Sequence, residues 1–282
     1  AETPLIVGAN KPNLTILELD VIEHLDQSFN LSDYPAIVAF DGYHCMSLYN
    51  VDPTGCPELQ SLTIEMAPAS VLDVTKNPKL TTLNISETRI SSIDLSACPN
   101  LQSFYAEHVS GSINTDVFLK NVDVTHNPRL IRLVLGGNRL KSVDLSKNTY
   151  LYQLQLNRND LTAIDLTANT NLASVNLAYN ELDFATLPLP EATWSEYYYY
   201  RSPMACNRSY AVDTPIDFSS RVLREGTETS ARVWRNPYDR EPELIDESAY
   251  SYADGKVTFH EIPEDSVYIE FSNSAFPEYT IS

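Results

Sequence analysis

Six lines of the form L-x-x-L-x-L recur along this chain at a fixed spacing. They begin at Leu59 (LQSLTI), Leu80 (LTTLNI), Leu101 (LQSFYA), Leu130 (LIRLVL), Leu151 (LYQLQL) and Leu172 (LASVNL), with aromatic, β-branched or small residues at some positions. The starts lie 21, 21, 29, 21 and 21 residues apart. A unit this short buries its apolar positions only against a copy of itself, so the chain must stack turn upon turn into a solenoid. The 29-residue interval is one 21-residue period plus eight residues, and the insertion falls between Val109 and Lys120.

A second line keeps step with the first: VLDVTKNP, SIDLSACP, NVDVTHNP, SVDLSKNT and AIDLTANT. Its acid is Asp73, Asp94, Asp123, Asp144 and Asp165, followed two residues later by Ser or Thr. That spacing suits a carboxylate accepting from backbone two residues on, an Asx turn. The next column reads Asn77, Cys98, Asn127, Asn148 and Asn169, and a third reads Asn138, Asn159 and Asn180. A turn that folds back on itself buries backbone groups that need partners. An asparagine offers donors and an acceptor, so stacked asparagines can satisfy each loop from the next. Pro78, Pro99 and Pro128 fix the bend before the following strand.

With LxxLxLxxNxL at Leu130–Leu140 and Leu151–Leu161, the repeat resembles the leucine-rich-repeat family, in its 21-residue bacterial, internalin-like form. The likeness covers residues 59 to 186. Residues 1 to 58 are read as degenerate turns and an N-terminal cap, with Leu14–Leu19 (LTILEL) and Tyr34–Phe40 (YPAIVAF) as strands. Past Asn180 a proline-rich segment with Trp194 and Tyr197–Tyr200 is expected to cap the last turn.

From about Asp213 short alternating runs predict strands at Ile216–Leu223, Ser230–Arg235, Lys256–His260, Ser266–Asn273 and Tyr279–Ile281, with a hairpin turn at Ala253-Asp-Gly-Lys. The expected fold is therefore mainly β: a leucine-rich-repeat solenoid over 1–190, a capping and linker segment over 191–212, and a small Ig-like β-sandwich over 213–282. The segments TSARVWRN, YADGKVTFHE and VYIEFSNSAFPEYTI resemble the C-terminal module of leucine-rich-repeat surface proteins of Bacteroidetes. This resemblance implies an exported, cell-surface or extracellular protein, with a signal peptide or lipoprotein anchor ahead of Ala1.

The residues for most chemistries are not arranged for it. The chain has no G-x-S-x-G, H-E-x-x-H or phosphate-binding glycine loop, and its five histidines share no ligand spacing. Four cysteines, Cys45, Cys56, Cys98 and Cys206, form no zinc pattern; Cys45 and Cys56 could pair. Thirty-eight acids against nineteen bases give a net charge of −19, which disfavours nucleic acid as a partner. No apolar run reaches the ~20 residues of a membrane helix. No cofactor or metal and no catalytic residue is expected, and a monomer is. The Asp column could pass for paired glycosidase acids, but its local backbone role makes a carbohydrate-active enzyme the remote alternative.

What remains is a surface. Residues between the inward leucines face outward on a concave sheet, and this face reads as polar and amide-rich, with few charges. The groups expected to hold a ligand are Tyr105, Glu107, His108, Arg132, Gln153, Gln155 and Arg158, an aromatic, an acid, an imidazole, two guanidiniums and two amides beside the insertion. The expected function is non-catalytic binding or adhesion to a protein or glycan, the ligand neutral or carrying some negative charge. The alternative is a structural spacer that displays other parts of a larger surface protein.

Overall fold

The computed structural model describes residues 13–23, 29–108, 117–189, 191–199, 212–235, 243–260 and 267–281. Each L-x-x-L-x-L line forms a three-residue strand: β3 (Ser61–Thr63), β4 (Thr82–Asn84), β5 (Ser103–Tyr105), β6 (Arg132–Val134), β7 (Gln153–Gln155) and β8 (Ser174–Asn176). β1 (Ile16–Glu18) and β2 (Ala39–Asp41) come before them and β9 (Glu196–Tyr198) after, all in one nine-stranded sheet in chain order. The pairs from β1 to β8 are parallel, with Leu17, Phe40, Leu62, Leu83, Phe104, Leu133, Leu154 and Val175 in register. From Phe40 onward these middle residues are at most 1% exposed. Strand alternation turns them into the core and sends their neighbours outward.

A strand of three residues makes few ladder bonds, so the return path must hold the stack. It does so with one device repeated seven times. The N–H groups of Tyr34, Cys56, Asn77, Cys98, Asn127, Asn148 and Asn169 each donate to the carbonyl three residues back. The carbonyls of the same residues accept the N–H three residues on. Two β-turns thus share one residue, and Pro35, Pro57, Pro78, Pro99 and Pro128 stand at the position of the second turn that favours proline. The expected Asx turns precede these double turns. The Oδ1 atoms of Asp73, Asp94, Asp123, Asp144 and Asp165 accept backbone N–H groups two residues on at 2.8–2.9 Å. Asp52 does the same with Thr54.

The residue shared by the two turns is also the rung of a ladder. Asn148 Nδ2 donates to the carbonyls of Val124 (3.0 Å) and Asn127 (2.9 Å), both in the turn before. Asn77 bonds Pro53 and Cys56, Asn127 bonds Leu95 and Cys98, and Asn169 bonds Leu145 and Asn148 in the same way. The Oδ1 atoms of these four residues are buried without a partner among the described residues. The column therefore needs donors only, not the donor and acceptor that the sequence reading assigned. That explains its cysteines: Cys98 Sγ lies 3.6 and 3.8 Å from the carbonyls of Val74 and Asn77, and Cys56 Sγ 3.2 and 3.7 Å from those of Leu31 and Tyr34, as weak S–H donors.

No Cys45–Cys56 bond forms, because Cys45, Cys56 and Cys98 are free and buried, and Cys45 Sγ is directed at Leu19 O. Burial pushes the Cys56 and Cys98 thiols up to about 11, so they stay protonated at neutral pH. Cys206 lies outside the described residues.

The later column uses both ends of its amide. Asn138 and Asn159 accept the N–H of Leu119 and Leu140 on Oδ1 and donate through Nδ2 to carbonyls of their own and the preceding turn. Asn180 accepts from Leu161. Residues 109–116, most of the insertion, lie outside the described residues. Its far end re-enters the stack at Leu119, where Asn138 receives it.

The chain forms two compact units, the first Ala1–Asp160, Asp165–Leu177 and Pro190–Tyr197, the second Leu161–Ile164, Ala178–Leu189 and Tyr198–Ser282. In the second, β10 (Ile216–Asp217), β13 (Tyr250–Ala253) and β14 (Lys256–Phe259) make one antiparallel sheet in the order β10-β14-β13. β11 (Thr229–Arg235), β12 (Glu243–Leu244), β15 (Val267–Asn273) and β16 (Phe276–Ile281) make another, in the order β12-β11-β15-β16. Phe184 stacks on Phe276 at 6.1 Å, Arg221 Nε binds Asp183 at 3.0 Å, and Arg224 donates to the carbonyls of Phe184 and Leu187.

The hairpin turn falls as expected, with Asp254 and Gly255 both at positive φ. The strand expected over Ile216–Leu223 is cut after two residues. Asp217 accepts the N–H of Ser219, another Asx turn, and the helical turn α1 (Ser219–Val222) follows.

Removing a ladder rung takes the second hydrogen bond from two buried carbonyls, each of which keeps only its backbone N–H from the turn. Asn148→Ala is expected to lower the unfolding free energy by about 1–3 kcal/mol in denaturant titration, and Asn148→Cys by less, since cysteine already serves at this column. An alanine variant as stable as the parent would contradict the ladder.

Candidate functional site

The outward positions line up in columns across the sheet. The first strand position carries Ser61, Thr82, Ser103, Arg132, Gln153 and Ser174, and the third carries Glu18, Asp41, Thr63, Asn84, Tyr105, Val134, Gln155 and Asn176. Arg132 is exposed and stands between Ser103 and Gln153. Tyr105 is half-buried between Asn84 and Val134, and Val134, itself buried, separates it from Gln155. The sheet thus brings Arg132 beside Gln153 directly and Tyr105 to Gln155 only across Val134.

Two residues past each strand lies a further column of Tyr43, Glu65, Ser86, Glu107, Gly136 and Asn157. It is tied by N–H groups from His44, Met66, Glu87, His108 and Gly137 to the carbonyls of Glu65, Ser86, Glu107, Gly136 and Asn157. Those donors form the last column, and most of it is left-handed: His44, Met66, Glu87 and Arg158 have φ of 52–57°, and Gly137 has 71°. A non-glycine residue in that region is uncommon, so a whole column of them is imposed by the turn after each strand. Gly137 has a reason of its own. A Cβ there would stand 1.7 Å from the carbonyl oxygen of His108, so the turn next to the insertion admits no side chain.

His108, expected among the groups that hold a ligand, is instead buried at 6% exposure. Its ring meets Phe118 edge-on at 5.9 Å, and Arg139 lies over the other ring at 4.8 Å, so the chain returning from the insertion covers it. Burial holds its pKa below the usual histidine value, against the opposing pull of Glu87. The imidazole is a neutral support beneath the face. Arg158 is exposed.

The face is more acidic than its sequence reading. Glu18, Asp20, Asp41, Glu65 and Glu107 occupy its outward and end-of-strand positions in the turns of β1 to β5, Glu87 of the left-handed column is buried, and no Lys or Arg shares those columns there. The N-terminal three were missed because their turns were not aligned with the rest, and Glu87 because the left-handed column has no residue-type signature. Glu65 accepts from Asn84 Nδ2 at 2.7 Å. Burial raises the Glu107 carboxyl above its ordinary 4.5, Glu87 and Glu65 add to the shift, and Arg158 opposes it. Burial, with Glu18 and Asp20, likewise raises Asp41.

On the return path the sign reverses. Bonds from Thr or Ser hold Asp73, Asp94, Asp123, Asp144 and Asp165 below 3.8 while leaving them exposed. Each has a structural bond to keep, which agrees with a turn-forming rather than catalytic role.

One cluster elsewhere has the order of a nucleophilic triad. His260 Nε2 lies 3.1 Å from Ser251 Oγ, and His260 Nδ1 lies 2.9 Å from Asp213 Oδ1. A working triad keeps its acid buried and its serine beside preorganised N–H donors. Here Asp213 is 73% exposed, His260 is 44% exposed, and Ser251 lies within β13, paired with Thr258 of β14. The three side chains tie strands together at a solvated surface. Among the described residues no group of acids, histidines and cysteines could hold a metal ion, and no helix is long and apolar enough to cross a membrane.

The shifts have a pH consequence. An acid whose folded-state value is raised favours folding in its protonated form, and that contribution disappears as pH rises through the raised value. The depressed aspartates contribute above their unfolded value and lose it as pH falls. Carboxyl NMR titration is expected to place Glu107 above 4.5 and the five return-path aspartates below 3.8. A Glu107 midpoint at or under its ordinary value would contradict the half-buried acidic row.

No family model and no curated protein matches the chain. Among solved structures it is similar to the functional domain of InlJ from Listeria monocytogenes, described as including a cysteine ladder, at 22% identity and a TM-score of 0.56, over 67% of this chain and 44% of that one. It is also similar to a leucine-rich-repeat protein of Leptospira interrogans, at 15% identity and a TM-score of 0.51, over 67% of this chain and 58% of that one. The chain spans less than two thirds of either. Likeness at these identities concerns fold, and with the register and ladders above it makes the repeat region a parallel β-solenoid of the leucine-rich-repeat kind.

Proposed function

We propose that this is a non-catalytic binding protein of the cell surface or extracellular space, whose outward sheet face docks a protein or glycan ligand. The supporting observation is the face itself. Its in-register polar side chains Tyr105, Arg132, Gln153 and Gln155, with Glu107 two residues past its strand, stand on a sheet fixed from behind by buried asparagine rungs. Side chains held on rigid neighbouring strands ~4.8 Å apart lose little freedom on binding. Tyr105 offers a ring for stacking, Arg132 a fork for carboxylate or carbonyl groups, and the glutamines paired donors and acceptors. Arg158 flanks this patch, and His108 supports it from beneath.

The remaining parts of the reading follow the sequence. The repeat region would run to about residue 190 and a capping segment to 212, with the two small antiparallel sheets as the halves of an Ig-like sandwich. The chain would act as a monomer. Listeria and Leptospira neighbours of the same fold are consistent with a bacterial surface protein.

The test compares the parent with a Tyr105→Ala/Arg132→Ala variant on a glycan array and against a displayed library of extracellular proteins. Any specific ligand is expected to bind the variant more weakly by about 1–3 kcal/mol with an unchanged thermal melt. A ligand indifferent to that variant, yet lost on changing Tyr197–Tyr199 or the antiparallel sheets, would move the site elsewhere.

A further inference from the structure

Two tyrosines stand in water just ahead of β7. Tyr150 and Tyr152 are 63% and 52% exposed, and among the described residues neither ring packs on another ring and neither hydroxyl makes a hydrogen bond. Exposed apolar side chains are ordinary when scattered; these two are not scattered. In each turn two consecutive N–H groups donate to one carbonyl of the turn before, Tyr152 and Gln153 to Ile131, and Ala173 and Ser174 to Tyr152. Two residues opposing one is a bulge, and it leaves both side chains of each of these pairs outside the core. Tyr152 therefore follows Ile131 in its column as Gln153 follows Arg132 in the next, and two residues earlier Tyr150 follows Arg129. Neighbouring turns are ~4.8 Å apart, so these six side chains share one patch.

The patch is cationic within an acidic chain. Acids outnumber bases 38 to 19 overall, yet residues 117–158 hold seven Lys and Arg against only Asp123 and Asp144. Both of those carboxylates are committed to Asx turns on the return path. Arg132 has no acidic partner among the described residues, and Arg129 gives one bond, from Nη1 to the neutral Asn100 Oδ1 at 2.9 Å. The three columns carry no acid from Asn100 to Ser174. On one side they are bounded by the Lys79–Glu58 ion pair, on the other by Glu196, which accepts from Ser174 Oγ.

The backbone of these columns is bonded from turn to turn, so the patch offers no edge for an added strand. It offers planar rings and guanidinium forks. An apolar ring takes a flat hydrocarbon face, and a fork takes a carboxylate. A sugar ring bearing a carboxylate presents both.

We propose that this patch binds an acidic saccharide, with Tyr150 and Tyr152 against the C–H faces of neighbouring sugar units and Arg129 and Arg132 on their carboxylates. It shares Arg132 with the docking-face reading and rests otherwise on residues outside that site.

The probe is a fluorescently labelled hexamer of galacturonic acid, titrated against the whole chain and followed by anisotropy, with a galactose hexamer and a glutamate hexapeptide as controls. The uronate is expected to bind saturably and to weaken as salt rises, with each control weaker by roughly tenfold. Tyr150→Ala/Tyr152→Ala and Arg129→Gln are each expected to weaken uronate binding about tenfold. Tyr49→Ala, at a tyrosine 55% exposed in the turn before β3, is expected to change it by less than about twofold.

No saturable binding of the uronate would overturn the proposal. So would a double tyrosine variant that loses no more than Tyr49→Ala does. A hexapeptide that binds as tightly as the uronate would make the patch a site for acidic peptides and overturn the saccharide. Uronate binding lost on Tyr105→Ala but kept by Tyr150→Ala/Tyr152→Ala would place the ligand on the docking face and overturn this patch alone. The reverse pattern would support the patch and leave the docking face to its own test.

Discussion

Everything in the solenoid depends on a side-chain amide that gives both its hydrogens to carbonyls of the turn before. The strands are three residues long, and a strand that short cannot fix its neighbour. The return path is worse placed still, since its two consecutive turns leave inward carbonyls with no strand to bond them. Asn77, Asn127, Asn148 and Asn169 give a second donor, from buried positions, to two carbonyls of the turn before that otherwise bond only within that turn. Because each rung reaches only the previous turn, the stabilisation is nearest-neighbour in character, as in any linear repeat array.

That rigidity is what gives the face its chemistry. Once the middle residue of each strand is locked inward, the flanking positions are free of structural duty and can differ from turn to turn. The change at β6 illustrates the point. The acidic columns end at Glu107, two glycines follow at Gly136 and Gly137, and Arg132 and Arg158 take over. Gly137 is required by the carbonyl of His108 lying where its side chain would be. Gly136 has no such backbone conflict; the side chains of Glu107 and Asn157 occupy the space that its own side chain would take.

The regular part of this was legible in the sequence, because Leu, Asp-x-Ser/Thr and Asn recur together and each has a single physical job. The N-terminal turns were harder to see. Tyr34 and Cys56 stand in the asparagine column, and β2 lies 23 and 22 residues from its neighbours by register. The signal that finds them is the residue after: Pro35 and Pro57 match Pro78 and Pro99. β9 was read as a capping tyrosine run, since Tyr197–Tyr199 carries no leucine line. Of the site, the strand positions Tyr105, Arg132, Gln153 and Gln155 could be read from alternation alone. The burial of His108 could not, because it depends on Phe118 arriving from beyond the insertion. The acidity of the face could not either, since Glu18, Asp20 and Asp41 lie in turns that depart from the 21-residue period.

Hydrogen exchange of the asparagine side-chain amides, resolved by NMR on the unmodified chain, tests the ladder most directly. Asn127, Asn148 and Asn169 each bridge two buried carbonyls, whereas Asn100 and Asn171 each give one bond, to the carbonyls of Pro78 and Thr149, at exposed sites. The expected result is strong protection of the first three side-chain amides, approaching that of the strand backbone, with Asn100 and Asn171 exchanging freely. Exchange at the same fast rate in all five would mean that the rungs open independently of the stack, and would contradict the ladder as the interaction that holds the solenoid together.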